Sequence, residues 1–566
     1  MKQVINFPNK VAADKRSHFW LFLAVLLFLS LLMVYFYQPL CPGQDFFFHY
    51  RRLQALMDGL KASPYLIYLD YDALDGYGYF TKAFYSDFVL IPFAWIGNLT
   101  SLSFSYQFML FTMTVLCGVF TYITVSYIYK KPFAAAIAAL LYTFAVYRLL
   151  DMYHRAALGE TLTFTFIPII LLGLYHIIKG DYKKWYILAI GYSLMIFTHV
   201  ISSVLMFMTM LILLVIYNKY LLKEPKRILY LIIAGIVTLL IVSYYVFPML
   251  EQMLSNTFYY ESRNIMSKAE DSALDFHWII WGMFTGVIAP KQVFVPGVGL
   301  LLTGAVALRI LVYGKSSQLK SVDIGVIIGV VYMVMASPLI SWSVFPFSLL
   351  NFIQMGWRLF EFSSFFFAVA GGYYLSMLLR TNGRRFVGGC IVVLCTIFVL
   401  ANDAKMYKAY RCGRPVAQAA AFENDYHLGG LEYIPSKVPS IEYIHNRGDK
   451  VKTSYINANI SGFNKTNGVL RFDIETTKET NIELPLLYYK GYRAELDGKE
   501  ISVSESKNGL VQMIADKSGA VNTYYAGTVV QKIGFYLTIL SIIGLCIYIF
   551  IQRRRKRINV SKDGNK

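Results

Sequence analysis

This sequence is poor in charge. Only 15% of its 566 residues are Asp, Glu, Lys or Arg, against 57% hydrophobic, whereas a soluble chain carries about 25% charged residues. The deficit excludes an ordinary soluble enzyme, and repeated apolar runs of about 20 residues indicate a polytopic membrane protein. Acids are scarcer than bases, 34 against 53, for a formal net charge of +19. That excess is no nucleic-acid signature. It is concentrated in short clusters between apolar runs, at Lys130-Lys131, Lys183-Lys184, Lys223 to Arg227, Arg380 to Arg385 and Arg553 to Arg557, as the positive-inside rule expects of cytoplasmic faces. Cysteine is also rare. Cys117, Cys390, Cys395 and Cys546 fall in apolar runs, which leaves Cys41 and Cys412 outside them, with no spacing that decides whether they pair. Zinc-type Cys/His spacing, a P-loop, Gly-x-Ser-x-Gly, HExxH and an EF-hand loop do not occur in the sequence.

The first apolar run, His18 to Tyr37, follows Lys10, Lys15 and Arg16. It is too long for a signal-peptide core and no small-residue cleavage pattern follows it, so an uncleaved signal anchor is expected. Spans are expected near 18–38, 103–129, 132–149, 161–178, 185–201, 203–221, 228–248, 297–313, 322–340, 359–379, 386–402 and 528–551. That makes about twelve helices with both termini cytoplasmic. Residues 84–97 are expected to form an interfacial helix on the outer face, because counting them as a span would invert every later basic cluster. The fold class is therefore a polytopic α-helical membrane protein with a C-terminal extracytoplasmic β-sandwich. Residues 1–402 form the transmembrane domain, with a first outer loop at 39–102, and residues 528–566 supply the last span and a basic tail. Residues 403–527 are polar and turn-rich: Gly468–Glu475 and Lys499–Ser504 alternate as half-buried strands do, and Asp497-Gly498 is a hairpin-type turn.

Three pieces of the outer face carry chemistry. In Cys41-Pro-Gly-Gln-Asp-Phe-Phe-Phe-His-Tyr-Arg-Arg52, a helix starting near Gln44 places Asp45, His49 and Arg52 at i, i+4 and i+7, on one face. The plainer alternative is an amphipathic interfacial helix whose polar side faces water. In Asp151-Met-Tyr-His-Arg-Ala-Ala-Leu-Gly-Glu160, the groups Asp151, His154, Arg155 and Glu160 lie between two spans, where ionisable residues are functional candidates by default. The alternative there is mutual pairing among headgroups, Asp151 with Arg155 for example. Arg358, in Gln354-Met-Gly-Trp-Arg358, suits a phosphate oxygen pair or simple snorkelling. His199, near a span end, is a site residue or a hydrogen-bonded packing residue. A carboxylate to take a proton, with cations to neutralise a leaving phosphate, fits transfer from a lipid phosphate.

These pieces resemble the GT-C superfamily of membrane glycosyltransferases, and more closely its YfhO-like, pyruvoyl-tetrahydropterin-synthase-related bacterial members. The matching stretches are Asp45-Phe-Phe-Phe-His-Tyr-Arg51, Asp151 to Glu160, Phe352-Ile-Gln-Met-Gly-Trp-Arg358 and Leu484 to Lys499. The resemblance implies an inverting transferase that moves a sugar from a polyprenyl-phosphate donor to a cell-envelope glycan, on the outer face of a bacterial plasma membrane. It implies Asp45 as general base, Asp151 as the acid that assists the acceptor or orients the loop, and His49, Arg155 and Arg358 as contacts of the donor phosphate. Binding roles would fall to His49, Arg51, Arg52, His154, Arg155, Glu160, His199 and Arg358. Arg51 matches the family's first-loop pattern, while Arg52 has the better helical phase. No cofactor is certain. Some relatives pair acids or use a divalent metal, and Asp45 has no adjacent acid, so a metal stays open. The expected partners are the donor, the acceptor glycan and the lipid bilayer, with no nucleic acid. Two other classes remain beside the transferase: a flippase for lipid-linked glycans, and a non-catalytic envelope-assembly protein.

Overall fold

The computed structural model describes residues 15–62, 68–263, 266–285, 296–412 and 431–563. It divides into two compact units, each discontinuous in sequence. The first comprises residues 1–49, 99–235 and 267–420, and the second residues 50–98, 236–266 and 421–566. Residues 50–98 of the first outer loop and residues 236–266 thus group with the C-terminal region, whereas the start of that loop, through His49, stays with the first unit, a division that a linear reading of composition does not register.

Among the described residues six helices are long and apolar enough to cross a membrane: Ser17–Phe36, Leu102–Tyr129, Pro132–His154, Ser317–Met335, Asn382–Arg411 and Val529–Arg555. A seventh arises if Lys226–Ile241 and Ser243–Ser255, bent by 69° at their junction, count as one span. The chain is a multi-span helical protein of membrane composition, yet about twelve full-length spans are not what forms. The runs expected at 161–178 and 185–201 yield helices Ile167–Ile178 and Tyr186–Ile196. At 1.5 Å per residue these are about 16–18 Å long, short of a hydrocarbon core of about 30 Å. The run at 203–221 becomes Val200–Ile216 and that at 297–313 becomes Gly299–Ala307 with a short 3₁₀ extension. The expected boundary at 402 also moves, because the helix begun at Asn382 continues to Arg411.

In the first unit, small residues let two helices meet backbone to backbone. Gly372 of Phe360–Leu378 lies against Ala134 and Ala138 of Pro132–Thr143, so close that a side chain there would strike the Ala134 carbonyl, and the neighbouring Gly371 lies against Ala305 and Leu141. Close approach through Gly and Ala is how helices pack where no hydrophobic force separates helix from lipid. It sets Arg358 and Glu361, at the start of one helix, beside the end of the Pro132–His154 span.

Among the described residues of the second unit, nine strands form two antiparallel sheets. The four-stranded sheet runs β1 (Lys452–Thr453), β4 (Thr480–Leu487), β8 (Leu510–Ala515), β7 (Val503–Glu505). The five-stranded sheet runs β2 (Asn459–Thr466), β3 (Val469–Glu475), β9 (Gly519–Tyr525), β5 (Tyr492–Leu496), β6 (Lys499–Ile501). Leu470, Phe472 and Ile474 alternate inward along β3, as period two demands. Asp497 and Gly498 both adopt positive φ, 50° and 76°, in a two-residue loop that pairs Leu496 with Lys499, the twist-matched hairpin geometry. The strand expected over 499–504 is two strands: β6 pairs with β5, and after Ser502 the chain crosses to the other sheet as β7.

Candidate functional site

The first-loop motif and the second acidic turn come together in the first unit. The helix Phe46–Ala62 begins directly after Asp45, whose carbonyl accepts the His49 N–H at 3.2 Å. Ahead of it the chain is pinned to the turn. The Asp45 N–H donates to the Arg155 carbonyl at 2.8 Å, and the Gln44 N–H to the His154 carbonyl at 3.4 Å. Gly43 makes this approach feasible, since a Cβ there would lie 2.7 Å from the Tyr153 carbonyl oxygen and 2.8 Å from the Ala156 Cβ.

The turn is built by a π-helical segment, Leu150–His154, closed by the Arg155 N–H donating to the Leu150 carbonyl at 2.8 Å. Single π-turns recur at functional sites because the widened turn redirects side chains. Ala156 follows at φ 55°, a left-handed conformation that a residue with a Cβ adopts only when its surroundings enforce it.

Four ionisable side chains then form one buried network. The Arg155 Nη1 donates to Asp151 and, at 2.9 Å, to Glu160 Oε2. Arg358 Nε reaches the same Glu160 oxygen at 3.1 Å, and Tyr147 donates to Glu160 Oε1 at 2.6 Å. The Arg155 guanidinium sits over the Trp357 ring, 4.7 Å from its centroid. Two carboxyl groups face two guanidiniums away from water, the kind of pairing that lets buried charge be tolerated. Glu160 stays ionised: burial pushes its carboxyl up, but Arg155 and Arg358 outweigh that and hold it down at about 2.

Asp45 lies at the rim of this network and differs from it. Its side chain is exposed to solvent, and among the described residues no side chain forms a hydrogen bond or ion pair with its carboxylate. Protein atoms nevertheless crowd it on most sides. Burial raises its carboxyl above the ordinary range, against the opposing pull of Arg155 and Arg358. A reachable carboxylate in a pit, destabilised as an anion yet facing cations, is a competent proton acceptor. Arg358 uses Nε on Glu160 and Nη1 on the Ile353 carbonyl at 2.7 Å. Its Nη2 has no acceptor among the described residues.

The other expected site residues are placed differently. His154 shares Asp403 with Tyr37: its Nε2 lies 3.2 Å from the carboxylate, and the Tyr37 hydroxyl donates to it. His49 is buried, with the Phe48 ring edge-on at 5.0 Å. His199 caps the helix Val200–Ile216, its Nδ1 accepting the Ser202 N–H at 3.3 Å, and packs on Gly159. Arg51 and Arg52 each have a carboxylate partner close by. Both belong to the second unit, where Arg51 holds Asp70 through Nε at 3.1 Å and Nη2 at 2.9 Å. Arg52 holds Asp87 at 3.0 Å and the Ser86 carbonyl at 3.1 Å. Among the described residues no group of three or more His, Cys, Asp or Glu is disposed to hold a metal ion.

Sequence reasoning missed Tyr147, Trp357, Asp403 and Glu361. The last is buried and takes a hydrogen bond from the Thr163 hydroxyl. An acid within an apolar run was the available signal for Glu361 and for Asp403. Cys41 and Cys412 form a disulfide across 371 residues. It fixes the chain entering Asp45 to the end of the Asn382–Arg411 helix, and the Tyr407 hydroxyl reinforces the join by donating to the Cys41 carbonyl at 2.8 Å.

No family model matches this sequence. An uncharacterized protein of Lactococcus lactis subsp. cremoris is 23% identical over 606 aligned positions, covering 96% of this chain and 97% of that protein. The similarity spans both units.

Proposed function

We propose that this chain is a GT-C-type membrane glycosyltransferase, related to the YfhO-like proteins, that transfers a sugar from a polyprenyl-phosphate donor to a cell-envelope glycan on the outer face of a bacterial plasma membrane. The observation that carries the reading is Asp45: an unpaired, reachable carboxylate docked by its own backbone onto a turn whose arginines are buried and oriented. In this mechanism Asp45 takes the proton from the acceptor hydroxyl as oxygen attacks the anomeric carbon. The bond from that carbon to the phosphate oxygen breaks, with inversion. Arg358 Nη2 then stabilises the charge gathering on the leaving phosphate. Asp151 and Glu160 act through Arg155 and Arg358 as positioning residues. The Cys41–Cys412 disulfide supports an oxidising, extracytoplasmic location for this end of the unit. The same reading has both termini cytoplasmic and the two sheets forming an extracytoplasmic β-sandwich.

One observation favours a flippase, the helix pair bent by 69° at residue 242, since transporters use broken helices. A single experiment separates the two. Full-length protein in liposomes receives a radiolabelled polyprenyl-phosphate sugar and envelope glycan. Label incorporated into glycan, and lost in Asp45→Asn, is the expected result. Label that only changes leaflet sinks the transferase reading in favour of transport, and wild-type transfer by Asp45→Asn removes Asp45 as base.

A further inference from the structure

A second site lies in the first unit, at the other end of the span that carries Asp151. An apolar groove of about 520 Å³ runs between the helices Lys15–Phe36, Pro132–Thr143 and Asn382–Arg411, floored by Leu21, Phe22, Ala136, Leu140 and Val393. Its volume falls in the range of about 300–1,000 Å³ usual for small-molecule sites. The amino-terminal halves of all three helices line it, so three helix starts converge at one mouth. There His18 and Arg385 line the groove and Lys131 precedes Pro132.

The charge at this mouth is unbalanced. Arg385 Nε donates to the Leu379 carbonyl at 2.9 Å, and its guanidinium lies 5.9 Å from the Phe133 ring centroid. Lys131 Nζ lies 5.0 Å from the Tyr373 ring centroid, and His18 Nδ1 lies 3.4 Å from the Tyr122 hydroxyl. Among the described residues none of the three forms an ion pair with a carboxylate. The Lys131 ammonium is accordingly easier to deprotonate than an ordinary lysine, first through burial and then through repulsion from Arg385. Helix starts add partial positive charge at the same place.

We propose that this groove is a binding site for an anionic phospholipid, with an acyl chain along Leu21, Phe22 and Val393 and the phosphate between Arg385, Lys131 and His18. The occupant is separate from any donor at Asp45. Pro132 stands at the mouth and His154 ends the same span of 23 residues, so at about 1.5 Å per residue the two places lie up to roughly 35 Å apart, a full hydrocarbon thickness. The basic clusters assign the mouth to the cytoplasmic leaflet, where anionic headgroups meet juxtamembrane lysine and arginine. The proposal holds whether or not the chain transfers sugar.

The test is native mass spectrometry of the delipidated full-length protein, titrated with phosphatidylglycerol and phosphatidylcholine of identical acyl chains. Phosphatidylglycerol is expected to bind about tenfold more tightly, and the double variant Lys131→Gln/Arg385→Gln to bring it down to the phosphatidylcholine level. Arg384→Gln, exposed on the same helix, should leave the preference intact. Gly389→Leu fills the groove; a Cβ there meets only the Phe133 ring, at 3.9 Å, so the backbone accommodates it, and it should weaken both lipids. Equal binding of the two lipids by wild type overturns the proposal. So does a preference that survives in the double variant or, should that variant not fold, undiminished binding in Gly389→Leu.

Discussion

Glu160→Gln is the sharpest probe of the buried network. Glu160 accepts from Tyr147, Arg155 and Arg358, and its side chain is 1% exposed. Gln keeps the shape but removes the charge, and its amide nitrogen must face a donor. The network loses the negative charge that Arg155 and Arg358 share, with no water to screen the guanidiniums. Arg155 retains Asp151, whereas Arg358 retains only the Ile353 carbonyl. Removing one partner of a buried ion pair costs about 3–5 kcal/mol, a large share of a total stability of about 5–15 kcal/mol. The expected result is a marked fall in thermal midpoint for the detergent-purified protein. The cycle Glu160→Gln, Arg358→Gln and the double variant isolates the pair. If Arg358 is held by Glu160, the double variant loses less than the two single losses combined, by about 1–3 kcal/mol. Additive losses, or a single loss within about 0.5 kcal/mol, would refute the network as a stabilising unit. The pH direction follows from the lowered carboxyl. Its contribution is present above the unfolded value near 4.3 and lost as pH falls toward about 2. A difference between wild type and Glu160→Gln should therefore persist unchanged from pH 5 to pH 8.

Asp45 behaves in the opposite sense. Its folded carboxyl is raised by burial, so its contribution to stability is full below the unfolded value and is lost as pH rises through the folded one. Asp45→Asn should be at least as thermostable as wild type at pH 7 while inactive, and wild-type transfer should fall away on acidification above the ordinary aspartate range; a less stable Asn variant contradicts this. Gly43→Ala should separate the first loop from the turn, because its Cβ meets the Tyr153 carbonyl at 2.7 Å. Transfer should drop by at least about tenfold, for 1 Å displacements at a reacting centre cost about 10²-fold, and unchanged activity would show that the docking does not matter. Cys412→Ser should lower stability by about 2–4 kcal/mol, toward the small end because membrane helices already restrict the unfolded chain. The readout is the melting temperature with and without reductant, which should differ for wild type and coincide for the variant.

The legible parts of this protein are those in which sequence distance is short or charge is expensive. Asp497-Gly498 announces its hairpin because only a few residues tolerate two successive positive φ values. Asp151, Arg155 and Glu160 stand out because ionisable groups between apolar runs need a reason to be there, and the pairing of Asp151 with Arg155 follows from i, i+4 spacing. What composition cannot carry is choice of partner. Arg155 and Arg358 read as phosphate ligands in waiting, yet each spends donors on Glu160. Arg51 and Arg52 read as rivals for one site and are both committed to aspartates of the second unit. A guanidinium offers five donors and a sequence offers many acids, so only packing decides which are used. Packing here is set by features silent in a linear reading: the bond from the Arg155 N–H to the Leu150 carbonyl that widens one turn, and the small residues that bring Arg358 to it. The consequence is specific. If the arginines are positioned by Glu160 and not free, then a substitution at Glu160 should alter donor affinity without touching donor. Glu160→Asp, which keeps the charge but shortens the reach, should raise the KM for the polyprenyl-phosphate sugar while leaving the pH profile set by Asp45 in place. A shifted profile with unchanged KM would instead make Glu160, and not Asp45, the group that titrates during transfer.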